Sequence, residues 1–198
     1  LRGMSLAVCA AGAIIQYLGV NQPSALKLLT RLTTYHLTEF MVLDAATRRN
    51  LELVETIRDR AKQGSLLGVV DRTITPMGHR LVLQWVNKPL LDLEQIQVRL
   101  EGVDYFMNNG MLRAELQAAL KQFSDLERIV QRVVAGSALP RDLVALRSSL
   151  QRLPSIRELF KEEGHALQKT IDNIRLCPEV LSLLDAALSD DPPATLQH

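Results

Sequence analysis

Between residues 93 and 107 apolar side chains fall at Leu93, Ile96, Leu100, Val103 and Met107, a spacing of three and four residues in alternation. That rhythm matches the 3.6-residue turn of an α-helix and puts all five on one face. It returns at Leu112, Leu116 and Leu120, and again at Leu143, Leu146, Leu150 and Leu153. A chain built on such seams must lay helix against helix. Aromatic residues are only 4% of the 198, so Leu, Val, Ile and Ala must supply the core. Apolar residues at 47% and charged residues at 23% are ordinary for a globular chain.

Punctuation marks where the helices start and stop. The first helix is expected from about Ser5 to Leu18, ended by Gly19, with Asn21-Gln22-Pro23 as a linker. Its run Leu6-Ala-Val-Cys-Ala-Ala-Gly-Ala-Ile-Ile15 is too short to cross a bilayer, which takes about 20 apolar residues. It reads as a core helix with small residues for close packing. Residues 35–43, rich in β-branched, aromatic and aliphatic types, suit one short strand. Asp44 is placed to cap a short helix. Thr75-Pro76 joins a capping hydroxyl to a proline at the first helical position, and Leu81, Val82, Trp85 and Val86 share a face of that helix. Asp92 with Gln95 opens the seam helix, Asn108-Asn109-Gly110 breaks it, and the next helix carries Leu112, Leu116, Leu120 and Phe123.

Ser124-Asp-Leu-Glu127 reads as a capping box, with Leu126, Ile129, Val130 and Val133 inward and Gly136 as the stop. Pro140 starts the following helix and Pro154 follows its last inward leucine. Two more helical stretches are expected near 165–176 and 178–188, and the tail from residue 189 reads as loop. The fold class is therefore mainly α, an irregular multi-helix bundle with at most one short strand region near 35–43.

Several chemistries are excluded by pattern. The glycines never form the two-glycine, Lys, Ser/Thr loop whose amides cradle phosphate. His36, His79, His165 and His198 are scattered, and neither Cys9 nor Cys177 lies near them, so no zinc-ligand spacing arises. The two cysteines, without a Cys-x-x-Cys spacing, read as thiols of a reducing compartment. No Gly-x-Ser-x-Gly elbow occurs. Glu162-Glu163 and Asp190-Asp191 read as solvated charge. No catalytic, cofactor-binding or metal-ligating residue is assigned.

Arginines at 48, 49, 128 and 132 are the candidates for phosphate contact. Arg128 and Arg132 lie four apart beside Asp125 and Glu127, which favours salt bridging. Arg48 and Arg49 are expected to pack on or hydrogen-bond the loop that follows them. Trp85 is expected to anchor the core through burial, with its indole N–H bonded to backbone. A net charge of +1, without a strongly basic half, predicts weak or no direct binding of DNA. No targeting segment is visible, so a cytoplasmic location without a membrane role is the default.

A more specific likeness lies in wording than in composition. Met41-Val-Leu-Asp-Ala-Ala-Thr-Arg-Arg-Asn-Leu-Glu-Leu53, then Gly64-Ser-Leu-Leu-Gly-Val-Val-Asp-Arg-Thr-Ile-Thr-Pro-Met-Gly78, then Trp85 and Lys88-Pro-Leu-Leu-Asp92 follow in order. Phe123-Ser-Asp-Leu-Glu-Arg-Ile-Val-Gln-Arg132 and Leu139-Pro-Arg-Asp-Leu-Val-Ala-Leu146 extend the likeness. Together these resemble the core (lever) domain of the MutS family of DNA mismatch repair proteins, in its bacterial form. The resemblance implies that residues 1–22 are the helix leading from a connector domain, and that 23–198 are the first, incomplete segment of the core. A start at Leu1 agrees with a piece of a longer protein. The family's mismatch reader, a Phe-x-Glu motif of an N-terminal domain, would lie outside these residues, in which that spacing occurs at Phe160-Lys-Glu162, and its clamp and ATPase would lie beyond His198.

The family likeness further implies a role for the segment, not itself an enzyme, in coupling an ATPase to a DNA clamp. ATP and Mg would be bound outside this chain. Mismatched duplex DNA and a MutL-type protein would be partners of a full-length homodimer. A helical protein–protein interaction scaffold unrelated to DNA is the alternative.

Overall fold

The computed structural model describes residues 4–26, 29, 39–160 and 167–189. The chain divides into two compact units, Leu1–His36 and Leu37–His198. In the first, α1 (Ser5–Asn21) is followed after Gln22 by the single turn α2 (Pro23–Leu26). Gly19 does not end α1, which continues to Asn21. A Cβ at Gly19 would stand 3.5 Å from the Leu26 side chain, an ordinary van der Waals contact. The expectation of a core helix fails within the unit. No residue of α1 is buried, because a four-residue partner covers little of a seventeen-residue helix.

Every regular element described in the second unit is a helix, apart from one antiparallel bridge between Phe40 and Leu90. That bridge is what remains of the expected strand, of which residues 35–38 lie outside the described residues. Met41 donates to the Pro89 carbonyl (2.8 Å) and Leu91 to that of Glu39 (3.2 Å). Three helices follow the bridge strand: α3 (Ala45–Asn50), α4 (Leu66–Val70) and α5 (Pro76–Asn87). Their caps are those read from sequence or of the same chemistry. Asp44 accepts from the Thr47 amide at 2.6 Å, Ser65 from Gly68 and Thr75 from Gly78, both at 3.1 Å.

Between α3 and α4 the chain folds into a tight knob that periodicity does not announce. Leu66 and Leu67 donate their amides to the carbonyls of Glu52 (3.0 Å) and Leu53 (2.9 Å). The buried Ser65 hydroxyl lies 2.9 Å from the Val54 carbonyl and 2.7 Å from that of Lys62. Gly68 is indispensable to this turn: a Cβ there would lie 2.1 Å from the Lys62 carbonyl oxygen.

The rest is α6 (Leu93–Asn108), α7 (Gly110–Leu120), α8 (Leu126–Val134), α9 (Pro140–Leu159), α10 (Gln168–Asp172) and α11 (Pro178–Ala187). Helix α9 is the hub, with α7, α8 and α11 all packed on it. The core gathers Ile156, Phe160 and Ile171, with Tyr105 and Phe106 of α6 and Leu112, Leu116 and Leu120 of α7 around them. Phe106 meets Phe160 edge to face at 6.2 Å between ring centres.

Three expectations change here. The α6 seam is not packed: Leu93, Leu100, Val103 and Met107 are exposed, and the inward face instead presents Gly102, Tyr105 and Phe106. Tyr105 and Phe106 pack around the core in place of the aliphatic stripe, and Gly102 lets Leu167 approach to 3.2 Å of where a Cβ would stand. Pro154 does not end α9, which runs on to Leu159. The lost backbone hydrogen bond is offset by burying Ile156 just beyond it. Finally, α8 is capped by Asp125 and not by Ser124. Asp125 accepts from the Arg128 amide, Ser124 donates its own amide to buried Ser149, and Glu127 is drawn off to Arg80. Of the four inward residues expected on α8, Ile129 is buried and Leu126 half-buried, whereas Val130 and Val133 are exposed.

Candidate functional site

Polar organisation concentrates around α5. At its start Asp71, nearly covered, accepts from Lys62 Nζ at 2.6 Å, from the Thr73 hydroxyl at 2.7 Å and from the Thr73 amide at 3.2 Å. His79 Nδ1 lies 2.6 Å from the same carboxylate. The Lys62 ammonium first, then Thr73 and His79, hold this carboxyl far below the usual carboxylate range against the opposing effect of burial. Asp71 thus ties the end of α4, the knob and the first turns of α5 into one piece.

One turn on, Arg80 reaches across to α8. Its two terminal nitrogens grip Asp125 as a fork at 2.7 and 2.8 Å, while Nε donates to Glu127 at 2.8 Å. Glu127 also meets one of the terminal nitrogens. The Arg80 contact pulls Asp125 below its ordinary carboxylate range, and the two acids raise the Arg80 guanidinium above its own. Such planar, two-point pairing fixes orientation as well as distance. Asp125 is also the cap of α8, so the same carboxylate starts one helix and holds another. A concavity of about 470 Å3 opens beside this joint, with His79, Arg80, Asp125, Arg128 and Arg132 among its walls.

The sequence candidates distribute unevenly around this arrangement. Arg128 lies 3.7 Å from Asp125 and Arg132 3.0 Å from Asp142 of α9, so both pair with acids as expected, the second across a helix boundary. Arg48 and Arg49 bond the following loop through their backbone carbonyls, which accept from the Leu53 (3.3 Å) and Glu52 (3.0 Å) amides. Both residues are exposed, and the loop is held by Glu52, Thr56 and Ser65 as well. Trp85 is not a buried anchor: the residue is 39% exposed, and the Arg99 guanidinium lies over its ring at 3.9 Å. Cys9 is exposed and Cys177 half-buried. His36, His165, His198, Glu162-Glu163 and Asp190-Asp191 lie outside the described residues, among which no three His, Cys, Asp or Glu side chains gather.

Sequence reasoning missed Arg80 and Asp71. Nothing in the local pattern pairs Arg80 with acids 45 and 47 residues away. The one available signal was Glu127, a capping-box acid whose expected backbone partner is instead served elsewhere.

Among the described residues no helix is long and apolar enough to cross a membrane. Seams, caps and paired ions define a mainly α-helical domain. The chain belongs to the MutS family: residues 46–198 match the domain described as MutS domain III. Over 97% of its length it is 44% identical to the DNA mismatch repair protein MutS of Alkaliphilus oremlandii. It is 44% identical over 98% of its length to that of Symbiobacterium thermophilum, and 43% over 97% to that of Halothermothrix orenii. In each case it spans 22% of the relative's length. Relatives so named over nearly the whole chain leave the DNA-unrelated scaffold without support.

Proposed function

We propose that this chain is the core (lever) segment of a DNA mismatch repair protein, coupling an ATPase to the part that grips DNA. The carrying observation is the match to MutS domain III over residues 46–198. The architecture suits the role. Helix α9, at 20 residues, is about 30 Å long at 1.5 Å per residue, and other helices brace it along its length. A braced rod turns a tilt at one end into a displacement at the other. The Arg80 fork joins α5 to α8, so that motion of α5 reaches the rod through a contact of fixed geometry.

In this reading residues 1–22 form the link from a connector domain, and chemistry belongs to other parts of the whole protein. ATP and Mg are held there, and mismatched duplex DNA, a MutL-type protein and a second copy of the protein are its partners in the cytoplasm. The 198 residues alone neither hydrolyse ATP nor read a mismatch. The test is to exchange this segment into the Alkaliphilus oremlandii relative and follow ATP hydrolysis with matched and mismatched duplexes. The exchanged protein is expected to keep a mismatch-dependent response, which an Arg80→Met substitution should weaken without abolishing hydrolysis. If the mismatch-dependent response is equally strong whichever residue stands at 80, the Arg80 fork does not carry the coupling.

A further inference from the structure

Helix α9 has a gap in its backbone ladder. Pro154 has no amide to give the Leu150 carbonyl, and a proline inside a helix weakens it at that point. Different neighbours hold the two sides of the gap. Before it, Asp142 pairs with Arg132 of α8 at 3.0 Å, while Arg147 lies 3.8 Å and Gln151 3.5 Å from Asp185 of α11. After it, Ile156 and Phe160 enter the core with Ile171 of α10, and Phe106 of α6 meets Phe160. None of these contacts bridges residues 150 and 154.

Side chains do bridge them. Arg152 Nη1 donates to the Ser148 carbonyl at 2.8 Å, and the Ser155 hydroxyl donates to the Arg152 carbonyl at 2.7 Å. The two bonds run end to end from residue 148 to residue 155, across the missing one. The same guanidinium ties the run to a neighbour, because its Nε donates at 2.9 Å to Gln122 Oε1, two residues past the end of α7. Arg80 and Arg147 pair with acids of other elements, whereas Arg152 gives its donors to its own backbone and to one neutral amide.

We propose that Arg152 is a clasp that keeps α9 stiff across the gap at Pro154. It is a positioning residue: it acts through the helix that it splints. The clasp follows from the geometry of α9 alone. Its part in coupling rests on the proposed function, in which a tilt must pass residue 154 undiminished.

The stiffness of α9 is read from two spin labels at the exposed positions 141 and 158 of the 198-residue chain, with Cys9 and Cys177 replaced by serine. The labels stand ~25 Å apart at 1.5 Å per residue, and the width of their distance distribution is the measurement. Arg152→Met should broaden the distribution about twofold, and adding Pro154→Ala, which restores the ladder bond, should return it to its starting width. Gln122→Ala removes one leg of the clasp at an exposed position, should broaden the distribution by less, and carries the same comparison if Arg152→Met does not fold. An unchanged width in every folded variant would overturn the proposal. So would a broadening that Pro154→Ala does not reverse, because Arg152 would then act on something other than the gap. In the exchanged relative, Arg152→Met should weaken the mismatch-dependent response and Pro154→Ala should restore it. A response unmoved by Arg152→Met while the distribution broadens would overturn the part in coupling and leave the clasp standing.

Discussion

Helices α6 and α9 carry the same kind of apolar seam, spaced three and four residues apart, yet one seam is bare and the other covered. On α9, Leu143, Leu146 and Leu153 are half-buried and Leu150 is 8% exposed, because α7, α8 and α11 surround the helix. On α6, Val103 is 62% and Met107 71% exposed. The inward face of α6 lies roughly a third of a turn away, where Tyr105 and Phe106 enter the core. Periodicity thus identifies the apolar face of a helix. Which face is buried depends on what else competes for the core, and here two aromatic rings outweigh four aliphatic side chains.

The comparison breaks most readily at its largest contrast. Phe160→Ala is expected to cost about 3–5 kcal/mol and Leu150→Ala about 2–5 kcal/mol, the range for opening cavities in a packed core. Met107→Ala and Val103→Ala should stay within about 0.5 kcal/mol, as surface changes do. Urea melts of the four variants measure this directly, and a costly Val103→Ala would mean that the α6 seam is covered after all.

A smaller effect is expected at Trp85, the residue whose type most suggests an anchor. With part of its ring in solvent and the Arg99 guanidinium over its face, Trp85→Ala should cost about 1 kcal/mol, cation–π contribution included. A loss near that of Phe160→Ala would restore Trp85 to the core.

The subtlest difference is pH-dependent. Asp71 is held ionised in the folded chain, foremost by Lys62. Its folded pKa lies below its unfolded value, so its stabilisation is complete above the ordinary carboxylate range near pH 4 and drains away as pH falls through and below it. The melting-temperature gap between the native chain and Asp71→Asn should therefore be full at pH 7 and narrow below about pH 4. A gap that stays constant down to pH 2 would remove Asp71 from its organising role.

Much of this was legible in the chain. The caps at Asp44, Thr75 and Asp92 act within two or three residues, so the local pattern contains both partners. Gly136, with φ +68°, ends α8 for the same local reason. Illegible were contacts closed by the fold. Arg80 meets acids more than forty residues on, and the knob depends on a backbone approach that allows only glycine at 68. Pro154 misled because burial of Ile156 beyond it outweighed its local preference, and Gly19 because α1 runs two residues past it. Arg48 and Arg49 are intermediate: they stood out in sequence, but that their backbone carbonyls hold the following loop became visible only in the fold.

The contrast between the two seams is tested most directly by thiol reactivity. With Cys9 and Cys177 replaced by serine, single cysteines at 100, 103 and 107 on α6 and at 146, 150 and 153 on α9 are labelled with a maleimide at low protein concentration. The α6 positions should react at rates close to an unfolded control. Position 150 should react slowest, limited by opening of the core, with 146 and 153 between. Equal protection of positions 103 and 150 would contradict the account, because both seams would then be buried by the chain itself.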